Sequence, residues 1–248
     1  GYDALAQTRD ACQYIREHAG DDDPFFLMLS WGTPHNPYDQ VPERYLSLFK
    51  DRTLFLRPNV PEDHRDRAME MLRGYYAHIA AIDDGVGMLL DTLEDAGLAE
   101  NTLFVFTSDH GDMHASQGVR RKQAPWDESI RVPLLVQYPT KLGREGRALL
   151  TPINTPDLMP SLLGLCDLPI PETVEGRDYS SLIAGETGDG ADLDLAPSAF
   201  LNVPVSFAML RAQGLPAYRG VRTARYTYVR TREGPWLLTP MPTSTWRR

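Results

Sequence analysis

The chain has 248 residues, 42% of them hydrophobic and 24% charged, an ordinary globular composition with room for one large domain or a domain and a small appendage. A formal net charge of −9 excludes a nucleic-acid partner, because phosphate binding needs a basic stripe and the only dense cluster is Arg120-Arg121-Lys122. Two distant cysteines exclude a disulfide scaffold, and no apolar stretch approaches membrane-spanning length.

In chain order, the spacing of Leu5, Thr8, Cys12, Ile15 and Ala19 predicts an amphipathic helix over 3–19, stopped by Gly20 in the left-handed conformation, with Cys12 a small buried side chain. Asp21-Asp22-Asp23 is a solvated acidic loop. Phe25 to Leu29 is a continuous apolar run, expected as a strand buried on both faces, and it delivers Ser30 to His35 at its end. Pro34, Pro37 and Pro42 impose an extended loop, followed by a short helix over 43–49. The strongest helix is expected over 61–96, where Ala68, Leu72, Tyr75, Ile79, Ile82, Val86, Leu89 and Leu93 recur at steps of three and four. Gly97 ends it. His78, Asp83 and Asp84 on this helix take structural or solvated roles, and His18 and His64 are expected to be exposed.

Leu103 to Thr107 is β-branched and apolar, a second buried strand, and 133–138 a third. Thr155-Pro156-Asp157 opens another helix, with Thr as N-cap, Pro in the first turn and an acid complementing the helix dipole. Strands alternating with helices imply an α/β fold with a mostly parallel sheet and helices on both faces. Residues 1–168 form that part. Residues 169–248 are a linker and a small C-terminal antiparallel subdomain, with a loop over 185–197 and strands over 199–203 and 225–229. The segment from Thr239 to Thr243 has no physical account from the sequence.

The strand at 103–107 runs straight into Ser108-Asp109-His110-Gly111. A carboxylate and an imidazole side by side past a strand end, followed by a glycine that lets the backbone turn, supply two donors for a divalent metal. Asp-His alone is a weak signal. The full run from Thr107 to Pro133, TSDHGDMHASQGVRRKQAPWDESIRVP, is a strong one.

That run closely resembles the sulfatase family of the alkaline-phosphatase superfamily. The resemblance implies an alkaline-phosphatase-like fold, Asp109 and His110 as ligands of the active-site metal, and Lys122 as a contact to sulfate. A second match, Ser30-Trp31-Gly32-Thr33-Pro34-His35-Asn36-Pro37-Tyr38, implies that His35 faces substrate and protonates the leaving alcohol. A third, Gly220 to Tyr228, looks like a strand of the family's smaller C-terminal subdomain. Relatives often carry Gly-Ser-His-Gly where this chain has Ala115-Ser116-Gln117-Gly118, so Gln117 is expected to contact substrate in an altered way. Asp127 and Glu128 are expected to hold the loop rather than react. The implied metal is Ca²⁺, with Mg²⁺ or Mn²⁺ left open by the His ligand.

The family's Cys/Ser-x-Pro-x-Arg segment, whose first residue becomes the formylglycine nucleophile, does not occur in these residues, nor does its Asp-Asp strand end. Cys12 and Arg16 have the right separation but no proline between them, and Cys166 fits no better. The chain is therefore read as the C-terminal part of a sulfatase-like protein, with formylglycine expected upstream and no turnover expected from this chain alone. The expected activity is hydrolysis of a small-molecule or glycan sulfate ester. The alternatives are phosphonate monoester or phosphodiester hydrolysis by the same superfamily, and an anion- or partner-binding fragment without catalysis. Oligomeric state and localisation are not fixed by the sequence, and a periplasmic or secreted protein is compatible with the resemblance.

Overall fold

The computed structural model describes residues 2–186, 198–204 and 208–240. They form two compact units, one drawn from Gly1–Thr102 and Asp112–Lys122, the other from Leu103–Gly111 and Gln123–Arg248.

The first unit is helical. α1 (Asp3–Glu17) and α3 (Arg65–Asp95) lie side by side, with α2 (Glu43–Leu46) packed against α3. Tyr2 meets His78, Cys12 meets Met88 and Arg16 meets Thr92, each pair 76 residues apart, so the two helices run parallel and in register. The face that α3 buries is built from Ala68, Gly74, Ala77, His78, Ala81, Ile82, Gly85, Leu89, Thr92 and Leu93. Small residues dominate it because neighbouring groups come close: a Cβ at Gly85 would lie 3.0 Å from Thr8 Oγ1, and one at Gly74 would overlap the Tyr38 carbonyl. Ile79, expected in the stripe, is instead exposed. Leu5, Val41, Tyr45, Ala77 and Ala81 form one core cluster, and Val60, Ala68 and Ala115 another. α3 ends as expected at Gly97 (φ 71°), with Leu98 N–H bonded to Leu93 O and Gly97 N–H to Glu94 O.

The second unit begins with β1 (Phe104–Thr107), α4 (Asp127–Ile130), β2 (Leu134–Gln137) and α5 (Pro139–Leu142). α6 (Thr155–Leu165) and α7 (Ser180–Ala184) follow. Leu165, Tyr179, Leu182 and Ile183 make its core cluster, with Leu103 and Val136 packed on it. α6 opens on a reciprocal capping box between Asn154 and Asp157, one residue before the expected Thr155 cap. β3 (Ser198–Val203), α8 (Ala208–Arg211), β4 (Tyr218–Thr223), β5 (Tyr226–Thr231) and β6 (Gly234–Pro240) complete it. The four strands form an antiparallel sheet in sequential order, the small C-terminal subdomain the sequence implied.

Several expectations change. Phe25–Leu29 is not a ladder strand among the described residues, and Phe26 and Met28 are 86% and 77% exposed. The apolar run specifies burial but no partner for its backbone groups. β1 and β2 pair antiparallel, Phe104 opposite Gln137 and Thr107 opposite Leu134, so no parallel pair exists among the described residues. Residues 108–133 return the chain to the end of β1 that it left, and a parallel pair would need a crossover to the other end. Neither strand is fully buried, and Leu135 is exposed. Gly20 is not left-handed; α1 closes at His18 through a bond to Tyr14 O. His18, stacked on Tyr14, and His64 are half-buried rather than exposed. Most of the expected loop at 185–197, and the segment beyond Pro240, lie outside the described residues.

Candidate functional site

In the second unit β1 hands the chain to Ser108, whose hydroxyl donates to His110 O at 2.9 Å and tightens the turn. His110 Nδ1 lies 2.8 Å from Gly111 O. A carbonyl only accepts, so Nδ1 carries the proton and the neutral ring keeps its lone pair on Nε2. Nε2 is 3.4 Å from Asp109 Oδ2, with the Asp109 side chain 83% exposed and that of His110 28%. A hard oxygen and an imidazole nitrogen at that separation fit two adjacent positions of a divalent-cation shell. Among the described residues no group of three or more His, Cys, Asp or Glu side chains gathers, so the pair fits part of a shell.

Gly111 makes the turn possible. Its N–H donates to Ser129 O at 2.8 Å, and a Cβ there would overlap the Glu128 carbonyl oxygen. Glycine is required by this close approach to α4.

In the first unit His35 is exposed on the loop after Trp31, its Nδ1 2.8 Å from Asn36 O, which again leaves Nε2 as the working nitrogen. The bonds before Pro34 and Pro37 are cis. Gln117 is exposed and left-handed (φ 57°), its N–H bonded to Asn59 O at 2.9 Å, and Lys122 is half-buried. The residues around them have unusual backbones. Of six non-glycine residues with positive φ among the described ones, five lie here: His114, Ala115, Gln117, Arg121 and Gln123. Each such conformation costs about 1–3 kcal/mol and persists only where surroundings enforce it.

A buried polar cluster, not anticipated from the sequence, enforces that shape. The Tyr38 hydroxyl donates to Asp112 Oδ2 at 2.5 Å, and Asp112 Oδ1 accepts the His114 N–H at 3.0 Å. This bond joins the loop of His35 to the loop of Gln117 and Lys122. Tyr75 and Tyr38 pack on the His114 ring with centroids 4.4 and 5.3 Å away. Both His114 ring nitrogens are buried without a hydrogen bond. Burial pushes the His114 pKa below the ordinary 6.5, with Asp112 opposing. The Tyr38 hydroxyl is raised well above 10, by burial first and then by its bond to Asp112. The only sequence signal was the presence of Tyr38 and Asp112 in the two quoted motifs. Their pairing spans 74 residues and leaves no local trace.

His78 is structural, as expected. Its Nε2 donates to Pro37 O at 3.3 Å and Nδ1 accepts from Tyr2 hydroxyl at 2.5 Å, and burial lowers its pKa. Asp84 accepts from Tyr45 at 2.7 Å, and Cys12 is buried. Asp127 is gripped by Arg222 from the C-terminal sheet.

The fold is alkaline-phosphatase-like. A putative sulfatase of Bacteroides fragilis shares it at a TM-score of 0.80 and 29% identity, over 96% of this chain and 51% of that one. A phosphonate monoester hydrolase of Agrobacterium radiobacter shares the fold at 0.70 and 23%, over 94% and 53%. The sulfatase profile matches residues 6–168, and that of the N-sulphoglucosamine sulphohydrolase C-terminal region matches residues 116–233. The chain belongs to the sulfatase family. An ulvan-active sulfatase of Formosa agariphila is 42% identical over 243 residues, 94% of this chain and 45% of that protein. The chain thus spans about half the length of the curated relatives it matches.

Proposed function

We propose that the protein is a metal-dependent sulfuric ester hydrolase acting on a sulfated polysaccharide, with Asp109 and His110 as metal ligands and His35, Gln117 and Lys122 facing the sulfate ester. The observation that carries it is the 108–122 run, where two metal-type donors are followed by a strained, internally braced loop bearing a cation. The polysaccharide class rests on the 42% identity to an ulvan-active sulfatase.

A divalent cation, Ca²⁺ before Mg²⁺ or Mn²⁺, would supply Lewis-acid stabilisation of charge on the sulfuryl oxygens. Asp109 brings a hard negative donor, and the Gly111 carbonyl keeps the His110 ring turned so that Nε2 is the donor atom. Lys122 places a point charge for one sulfuryl oxygen. His35, with Nδ1–H committed to Asn36 O, would act as the imidazolium and give its Nε2 proton to the leaving alcohol oxygen. The likeness to the phosphonate monoester hydrolase concerns the fold alone.

The test is a panel assay of the intact gene product on a sulfated polysaccharide, an aryl sulfate and an aryl phosphonate monoester. Inorganic sulfate released from the polysaccharide, with kcat/KM reduced about a hundredfold or more by Lys122→Ala or His35→Ala, is expected. Preferential phosphonate cleavage, or variants as active as wild type, would overturn the reading.

A further inference from the structure

We propose that Arg222, on the C-terminal sheet, is a positioning residue for the Asp109–His110 pair, acting through Asp127 and α4. The inference rests on the reading of that pair as metal ligands. Arg222 and Asp127 lie 95 residues apart, and the guanidinium engages both carboxylate oxygens: Nη1 with Oδ1, and Nη2 with Oδ2 at 3.1 Å. The two parallel bonds fix orientation as well as distance. The Arg222 side chain is 13% exposed and that of Asp127 30%, so the pair is partly withdrawn from water. There an ion pair is screened less than at the surface. Arg222 Nη1 also donates to Thr227 Oγ1 at 3.2 Å, which anchors the guanidinium to β5. Arg131 reaches the same carboxylate only at 4.0 Å.

Asp127 is the first residue of α4, and α4 is the seat of Gly111. The Gly111 N–H bonds Ser129 O, the Glu128 carbonyl lies where a Cβ would go, and Ser129 Oγ accepts Ala124 N–H at 3.2 Å. Gly111 O in turn orients His110 through Nδ1. A shift of α4 therefore carries Gly111 with it and turns the imidazole, without touching either donor. A second tie fixes the same segment: Trp126 meets Trp236 edge-on at 5.9 Å, and Tyr218 donates to Gln123 O at 3.3 Å. The C-terminal sheet thus clamps the metal-type turn, a role its motif did not disclose.

Mn²⁺ titration of the isotopically labelled 248-residue chain, read as paramagnetic broadening of His110 and Gly111 resonances, tests this together with amide exchange. Arg222→Gln is expected to weaken Mn²⁺ affinity about tenfold, the size found for outer-shell partners of metal ligands. Gly111 N–H should exchange faster while Tyr228 and Val229 keep their protection, which a general loosening of the sheet would not produce. Asp127→Asn should match it, and the double variant should be no worse than either single one. If Arg222→Gln loses sheet protection, Asp127→Asn decides by the same two readouts. Unchanged affinity and Gly111 exchange in a folded variant, with binding abolished by Asp109→Ala, would overturn the clamp and leave the metal reading intact. Binding unaffected by Asp109→Ala, or no broadening in the wild-type chain, would overturn both.

Discussion

Residues 108–111 and 112–122 are neighbours in sequence, yet they are held in opposite ways. The first stretch leaves the Asp109 carboxylate in water and is fixed mainly through Gly111, by one backbone bond and a contact too close for a side chain. The second is held both by its own bonds and by its neighbours: Met113 N–H bonds Arg121 O at 2.7 Å, and Met113 and Ala115 are buried. His114 packs against two tyrosine rings, and Asp112 takes the Tyr38 hydroxyl. On the proposed reading, a turn that holds a cation can leave its carboxylate to solvent until the cation arrives, because hydration satisfies it. On the same reading, a loop that presents a lysine and an amide to an anion gains by being ordered beforehand, since ordering it on binding would cost affinity.

This difference can be broken most severely at the glycines that permit each close approach. Gly111→Ala drives a methyl into the Glu128 carbonyl, and we expect a loss of about 3 kcal/mol in urea unfolding of the second unit together with its metal response. Gly74→Ala does the same against the Tyr38 carbonyl. Alanine favours helix by about 1 kcal/mol over glycine, so a net loss of about 2 kcal/mol there would show that the clash outweighs propensity.

Tyr38→Phe separates the two stretches. It leaves the Asp112 carboxylate short of a donor and should cost about 1–3 kcal/mol. Lys122-dependent substrate KM should rise while Mn²⁺ broadening at His110 stays unchanged. Equal effects on both readouts would erase the distinction.

Acid should act on the first unit. Burial holds the His114 and His78 pKa values below 6.5 in the folded chain. As pH falls through about 6.5 the unfolded chain takes up protons first, so stability present at neutral pH is lost on acidification. The slope is at most about 1.4 kcal/mol per pH unit for each histidine. His114→Phe should flatten the slope measured by chemical unfolding between pH 7 and 5. An unchanged slope would assign it elsewhere.

The smallest effect is expected at the thiols. Exposed Cys166 should react with a thiol reagent in the folded chain while buried Cys12 stays protected, and Cys166→Ser should leave stability within about 0.5 kcal/mol.

The sequence disclosed what is local. Helical periodicity placed the bounds of α1 and α3 within four residues and the start of α6, and glycine marked the end of α3. It misjudged what depends on partners. Of the stripe expected on α3, Ala68, Ile82, Leu89 and Leu93 are buried, whereas Leu72, Tyr75, Ile79 and Val86 are not. The buried face also takes in Gly74, Ala77, Ala81 and Gly85, because α1 and the Tyr38 backbone approach closely enough to favour small residues. Phe25–Leu29 had the composition of a core strand, but composition names no ladder partner. Asp127 was read as a loop-holding residue, whereas its grip by Arg222, like the Tyr38–Asp112 bond, is a long-range pair that one sequence cannot reveal.

The central claim is that Asp109 and His110 hold the cation on which sulfate release depends. The most direct measurement is inorganic sulfate liberated from a sulfated polysaccharide by the chelator-stripped gene product as Ca²⁺ is restored, for wild type and Asp109→Ala. Saturable recovery is predicted for the wild type, with recovery abolished or displaced to at least about a hundredfold higher Ca²⁺ in the variant. Superimposable Ca²⁺ curves for the two proteins would contradict it.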